Sequence, residues 1–503
     1  MIRAVPAHTL ERQRLASDPK RSVWVSANAG SGKTHVLSQR VVRLMLDGVN
    51  PARILCLTFT KAAAANMSER VFAILARWTR LDDSALRAAI RATGADEPSA
   101  ATLIAARRLF ARAVETPGGL KIQTIHAFCE RLLHLFPFEA NVSAGFTVAE
   151  DAEQAEWLDE ARRDALAQAA GDAGALGAAL RRVAADTSQS DFDALIRAAM
   201  KARSSLPIDA AGQKRLRKAL GLAHGETLAA IECAILQDGL LAHDWRAIGD
   251  ALAQGSTNDV KRADGLFAVR EAFAARRGDD GSDELVDDYL SLFFNATDGA
   301  PTKSLATKNV SGSIKEKLEE EQRRLAPLRE KRKAAAACER SLALARLVGD
   351  IFSRYAATKQ RRGALDFDDL IARTLTLLER SDAGWVLYKL DRGIDHILVD
   401  EAQDTSAAQW RILDILAGEF TAGEGQRKGR RSFFAVGDDK QSIFSFQGAA
   451  PQLFHDMSRR FEQRATQAGQ DFSAVRLNLS FRSTRAILGA VDAVFAPVER
   501  HKG

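Results

Sequence analysis

Short apolar runs and long amphipathic stretches divide this chain into two kinds of sequence. From Ser22 to about Val148, and again from about Leu365 onward, compact β-rich runs recur: "SVWVSA", "RILCLTFT", "HILVDEA", "SFFAVGDD" and "VRLNLSF". Each is followed by a loop of small or polar residues, and helical segments lie between them. That alternation predicts an α/β domain, a parallel sheet flanked by helices, with functional groups at the strand ends.

The stretch 150–364 is different. It is rich in Ala, Leu and Arg, has few β-branched runs, and spaces its apolar residues as a helix does, for example in "DALIRAAMKARSSL". It predicts a helical domain inserted between 1–149 and 365–475. Within it, "APTKSLATKNVSGSIKEKL" reads as an exposed basic loop entering a charged helix. The run Lys317 to Lys333 mixes both signs and is interrupted by Pro327; such a run serves either as a solvated face or as a DNA contact. The basic "GEGQRKGRR" before Ser432 reads as a connection.

Composition narrows this picture. At 503 residues the chain exceeds one ordinary core, so two or three domains are expected. Hydrophobic content of 46% and charged content of 27% are those of a globular protein. No apolar run approaches the roughly 18 residues that cross a bilayer, and "MIRAVPAHTLERQRLAS" lacks the apolar core of a signal peptide. A cytoplasmic protein without a membrane partner is expected. The four cysteines stand far apart without a CxxC pair, which argues against a disulfide framework or a zinc site. The 71 basic and 65 acidic residues nearly cancel, leaving +6, a balance compatible with a polyanionic partner and no more than that.

Candidate chemistry sits after the first run. In "ANAGSGKT", Ala27 to Thr34, small residues lead from a strand into a helix. Gly30 and Gly32 allow a tight turn in which successive N–H groups of Asn28, Ala29, Ser31 and their neighbours face phosphate oxygens. Lys33 is placed to reach the β- and γ-phosphates, the Thr34 hydroxyl to bind Mg²⁺, and the helix start adds a positive dipole end. Ala27 stands where the general GxxxxGK[ST] pattern has glycine. A site for ATP also needs a carboxylate for Mg²⁺ and another for the attacking water. "HILVDEAQD" offers Asp400 for the metal and Glu401 for the water, although adjacent acids after a strand also serve as a loop or helix cap.

With those residues in view, the chain resembles the superfamily 1A helicases of the UvrD/RecB type, and among them the AddA-type helicase–nucleases. The matching segments occur in family order: "LERQRLASDP", "ANAGSGKT", "LTFTKAAAANMSERV", "QTIHAFCERLL", "LDFDDLI", "VDEAQDTSAAQW", "VGDDKQSIFSFQGA" and "LNLSFRS". The resemblance accounts for Ala27 and implies a RecA-like motor domain, the start of a second one at 476–503, and ATP and Mg²⁺ as cofactors. It implies that Gln13 contacts the adenine, that Gln441 senses the γ-phosphate, and that Arg482 stabilises developing charge. Asp404 is implied as the link from the Mg²⁺ strand to "GDDKQ". For DNA it implies Thr58, Phe59, Thr60, Thr124, His126, Phe444 and Phe446: aromatic faces for stacking and small donors for phosphates.

The partners so implied are single-stranded and duplex DNA and an AddB-type protein, with 3′-to-5′ movement in double-strand-break repair. Two departures stand out. Phe446-Gln447-Gly448 replaces an aromatic–Arg–Gly sequence, and an uncharged Gln447 makes no charge-assisted contact. The chain also stops about 20 residues after Arg482, before the rest of a second motor domain and a nuclease, so the N-terminal part of such a protein is expected. An ATP-responsive DNA-binding module without unwinding is the competing expectation, because charges from both sides of a cleft stabilise the reaction.

Overall fold

The structure, a computed structural model, describes residues 5–497 apart from 186, 276–281, 296–298, 381–383, 392, 419, 421–429 and 443–450. The chain forms two compact units, Met1–Glu150 with Gly363–Gly503, and Asp151–Arg362.

The first unit holds β1 Ser22–Ala27, β2 Ile54–Thr58, β3 Lys121–Thr124, β4 Thr147–Val148, β5 Ala364–Leu365, β6 His396–Val399, β7 Ser432–Gly437 and β8 Phe472–Leu477. Six of them form one sheet in the order β3-β2-β6-β7-β1-β8, every pair parallel. Side chains alternate between two cores. Trp24, Leu55, Leu57, Ile397, Val399 and Phe433 face one, and Val23, Val25, Cys56, Leu398, Phe434 and Val436 face the other. Burial on both faces is why these strands read as unbroken apolar runs. The short β4 and β5 pair where the chain leaves this unit and returns to it.

Two strands differ from expectation. β3, "KIQT", has no apolar signature because it is an edge strand whose first three residues are only half-buried. β8 begins at Phe472 rather than Val475 and ends at Leu477. Its partner β1 runs out at Ala27, and the strand register ends there.

The second unit is helical, built around a 51-residue helix, Gly312–Arg362, with its own core. Pro327 does not interrupt this helix. Its ring lies on the exposed side, and Arg323, whose carbonyl loses a donor, is exposed to water as well. Buried Leu325 and Ala335 on either side of the proline hold the helix to its core. Nor is the loop before it simply exposed. Leu305, Ala306 and Val310 are buried, and Thr307 N–H donates to Asp259 Oδ1 at 2.9 Å. The mixed charges of the helix pair within the unit: Arg324 with Glu321, Arg332 with Glu232, and Lys317 with Asp244. Among the described residues, no helix is long and apolar enough to cross a membrane.

Candidate functional site

At the carboxyl end of β1 the backbone turns through Asn28 and Ala29, closed by Ser31 N–H donating to Asn28 O at 3.1 Å. Gly30 and Gly32 have φ of 70° and 91°, a region that costs side-chain-bearing residues about 1 kcal/mol or more. Gly30 is also sterically required: a Cβ there would stand 2.6 Å from Arg482 Cβ and 3.0 Å from Ser480 Oγ. Gly32 caps the helix Lys33–Leu46, so free N–H groups and a dipole end point into the loop. Ser31 Oγ is buried, with no hydrogen-bond partner among the described residues.

β6 lies two strands from β1, and its continuation delivers the carboxylates. Asp400 N–H extends the ladder to Leu57 O at 2.8 Å. Glu401 then adopts φ 48°, left-handed for a non-glycine residue, and this turns its side chain toward the loop. Lys33 Nζ meets Glu401 Oε2 at 2.6 Å, joining residues 368 apart in sequence. Asp400 is buried; burial, with the Glu401 charge adding and Lys33 opposing, lifts its carboxyl to about 6. Burial likewise raises Asp404, a hydrogen bond from Ser442 opposing.

Gln403, beside Asp404, makes a link to the end of β7. Buried Gln403 accepts from Asp438 N–H through Oε1 at 2.9 Å, and its Nε2 donates to Glu401 Oε2 at 2.9 Å and to Asp404 Oδ2 at 3.2 Å. Because Oε1 is committed to a backbone donor, the amide has one orientation. Gln441 donates from Nε2 to Asp438 Oδ2, which places it at the end of β7 beside this network. Gln13, buried, brings its Nε2 to 3.5 Å from where a Gly32 Cβ would lie. Phe481 N–H donates to Gly30 O at 2.7 Å, and Arg482 follows with its side chain exposed. Thr34 sits in the first turn of the helix.

A second group gathers at the carboxyl ends of β2 and β3, where Thr58 and Thr124 are register partners. Thr58 Oγ1 donates to Thr60 O at 3.0 Å. The Thr60 and Thr124 hydroxyls accept from Ala63 and Ala127 N–H, capping the helices Lys61–Trp78 and Ile125–Leu135. Each capping hydroxyl still has its own proton to donate. Phe59 is half-buried between them in sequence. His126 packs edge-on to Phe367 at 5.2 Å, and burial lowers its imidazole below the usual value, Asp368 opposing. Phe444, Phe446 and Gln447 lie outside the described residues.

The family described as UvrD/REP helicase N-terminal domain matches residues 8–462. The chain belongs to the UvrD/REP helicase family. It is 27% identical over 508 residues to an ATP-dependent helicase/nuclease protein (AddA) of Lysinibacillus sphaericus (strain C3-41), covering 94% of this chain and 38% of that protein. The proteins of the same name from Acetivibrio thermocellus and from Desulfitobacterium hafniense (strain DSM 10664 / DCB-2) are 24% and 28% identical. Those matches cover 97% and 96% of this chain and 39% and 35% of the relatives. The chain thus spans less than two fifths of the length of these relatives.

For this UvrD/REP family member, sequence reasoning passed over four residues that the fold brings to the two groups. Gln403 lay inside "DEAQD" but was not singled out. Ser480 and Phe481 stand in "LNLSFRS", and the Phe481 ring edge comes within 3.8 Å of a Gly32 Cβ position. Phe367 lay in "LDFDDLI" without a stated role. Their signal was adjacency to residues already chosen; their part depends on packing.

Proposed function

We propose that this chain is the ATP-driven motor portion of a DNA helicase, of the kind that serves an AddAB-type helicase–nuclease in double-strand-break repair. The observation that carries this reading is the contact between Lys33 and Glu401, which ties the phosphate loop to the carboxylates of β6. The donor set suits a magnesium–triphosphate: Asp400 is a buried carboxyl that a cation would compensate, and Ser31 Oγ is a buried polar atom without a partner among the described residues. Asp400 and the Thr34 hydroxyl would hold Mg²⁺, which when bound neutralises phosphate charge.

Lys33 is paired with the Glu401 carboxylate. When a triphosphate enters the loop, the Lys33 ammonium turns to its oxygens and releases Glu401 Oε2. That oxygen, still held by Gln403 Nε2, orients the attacking water and takes its proton. Gln441, Gln403 and Glu401 form one chain of contacts through Asp438, so a γ-phosphate sensed at Gln441 is felt at the base. Gln13 and Phe481 flank the loop where an adenine would rest. Arg482 supplies positive charge from beyond β8.

DNA runs over the β2–β3 ends, where Thr58, Thr60, Thr124 and His126 hold phosphates and Phe59, with Phe444 and Phe446, stacks on bases. In this reading 1–149 and 365–475 form the first motor domain, 150–364 the insertion, and 476–503 the start of a second. Movement is 3′ to 5′, and an AddB-type protein is the partner, both from the resemblance.

ATP turnover with and without single-stranded DNA, for the chain and for Lys33→Ala, tests this. Turnover stimulated by DNA and lost in the variant is expected; turnover indifferent to DNA refutes it. A second reading, a DNA-binding module that responds to ATP without unwinding, draws on the exposure of Arg482 and of every residue in the helix Arg485–Phe495. DNA binding without turnover decides for that reading.

A further inference from the structure

The helix Ile125–Leu135 starts at the carboxyl end of β3 and runs away from it. Leu135 lies nine residues beyond His126, about 14 Å along the axis, toward the amino-terminal end of the sheet. There the surface changes character. Leu135 is 64% exposed, Phe138 86%, Tyr388 61% and Trp385 44%. The two segments that carry them touch, since Trp385 packs edge-on against Phe136 at 5.1 Å and Lys389 Nζ lies over both rings. Beside this patch opens a groove of about 270 Å³, with Leu132, Leu135, Phe136 and Leu390 among its walls.

Three features define the occupant. Among the described residues, the charged ones lining the groove are basic, namely Lys121, Arg131 and Lys389. Burial, with Arg131 adding to it and Asp395 opposing, lowers the Lys121 ammonium from its usual value, and Arg131 and Lys389 put two further positive charges on the described walls. The volume is below that of most small-molecule sites, about 300–1,000 Å³, and suits one or two anchoring side chains of a polypeptide. The place also matters: ligands of open α/β sheets bind at the carboxyl ends of the strands, and this patch is at the other end. Exposed Trp, Tyr and Phe around an apolar groove are the composition of a protein interface.

We propose that this groove docks an amphipathic helix of a protein partner, one that inserts apolar anchors and presents Asp or Glu to Arg131 and Lys389. The mode is helix-in-groove, with carboxylates fixing the register.

The test places a photo-crosslinking benzoyl group on the residue 138 side chain of the full chain in the cells that produce it. The same group at exposed Ile104 is the control. Adducts are mapped by mass spectrometry, and the mapped segment is synthesised and titrated against the purified chain. A dominant adduct to one helical segment with more Asp and Glu than Lys and Arg is expected. Its affinity should fall about tenfold or more in Arg131→Glu/Lys389→Glu, whose melting temperature matches the parent. Adducts to nucleic acid or to a second copy of this chain, labelling no different from the control site, no adduct, or affinity indifferent to the charge reversal would each overturn the proposal.

Discussion

Arg40, fully buried at the amino-terminal end of the sheet, donates from its terminal nitrogens to Ala16 O, Asp18 O, Arg21 O and Ser432 Oγ, while its Nε has no partner among the described residues. His396 beside it shares the Ser432 hydroxyl at 2.8 Å. The carboxyl end of the same sheet is arranged otherwise. Glu401 holds a left-handed backbone, Asp400 is buried against a like charge, and Ser31 Oγ goes without a partner among the described residues. One end uses buried polar groups to tie the chain down; the other keeps strain and an unmet polar atom that a ligand would complete. Stability and activity are therefore expected to separate along the strand direction.

The largest expected effect is at the carboxyl end. Glu401→Gln should lower ATP turnover about 10³-fold, close to 4 kcal/mol, while the urea midpoint holds; unchanged turnover would deny the carboxylate its role. At the opposite end, Arg40→Met strands three backbone carbonyls and should cost about 3 kcal/mol in chemical denaturation. Turnover per folded molecule should be unchanged, and a parallel loss of activity would erase the contrast between the two ends.

The next effect depends on pH. Burial, with Arg40 adding to it, holds His396 to about 3 in the fold against 6.5 for an ordinary imidazole. As pH falls below 6.5 the unfolded chain binds the proton first, so stability present at neutral pH drains away toward pH 3. By pH 5 this one group should account for about 2 kcal/mol of lost stability. His396→Asn, which keeps a partner for Ser432, should flatten that acid limb, and equal slopes in the two proteins would contradict the assignment. The smallest effect sharpens the carboxyl end: Gln403→Met should lower kcat about tenfold with KM nearly unchanged, since it positions Glu401 without touching nucleotide. A change confined to KM would make Gln403 a binding residue.

The parallel sheet was legible because four strands, β1, β2, β6 and β7, are buried on both faces and so carry apolar runs. β3 was not, because an edge strand shares its residues with solvent. Pro327 misled because a proline is a local veto that a well-buried helix can carry on its exposed side. Lys33, Asp400 and Glu401 were legible as residue types next to strand ends, whereas Gln403, Phe367 and Phe481 owe their position to packing between segments far apart in the chain.

By itself the sequence determined local matters: where glycine permits the loop to turn, which runs bury on two faces, and which side chains could hold phosphate and metal. Only the tertiary structure decided that β6 stands two strands from β1, so that Glu401 meets Lys33 across 368 residues. Backbone preference and burial are written residue by residue. The order of strands in a sheet follows from how all the runs pack together, and no single stretch contains it.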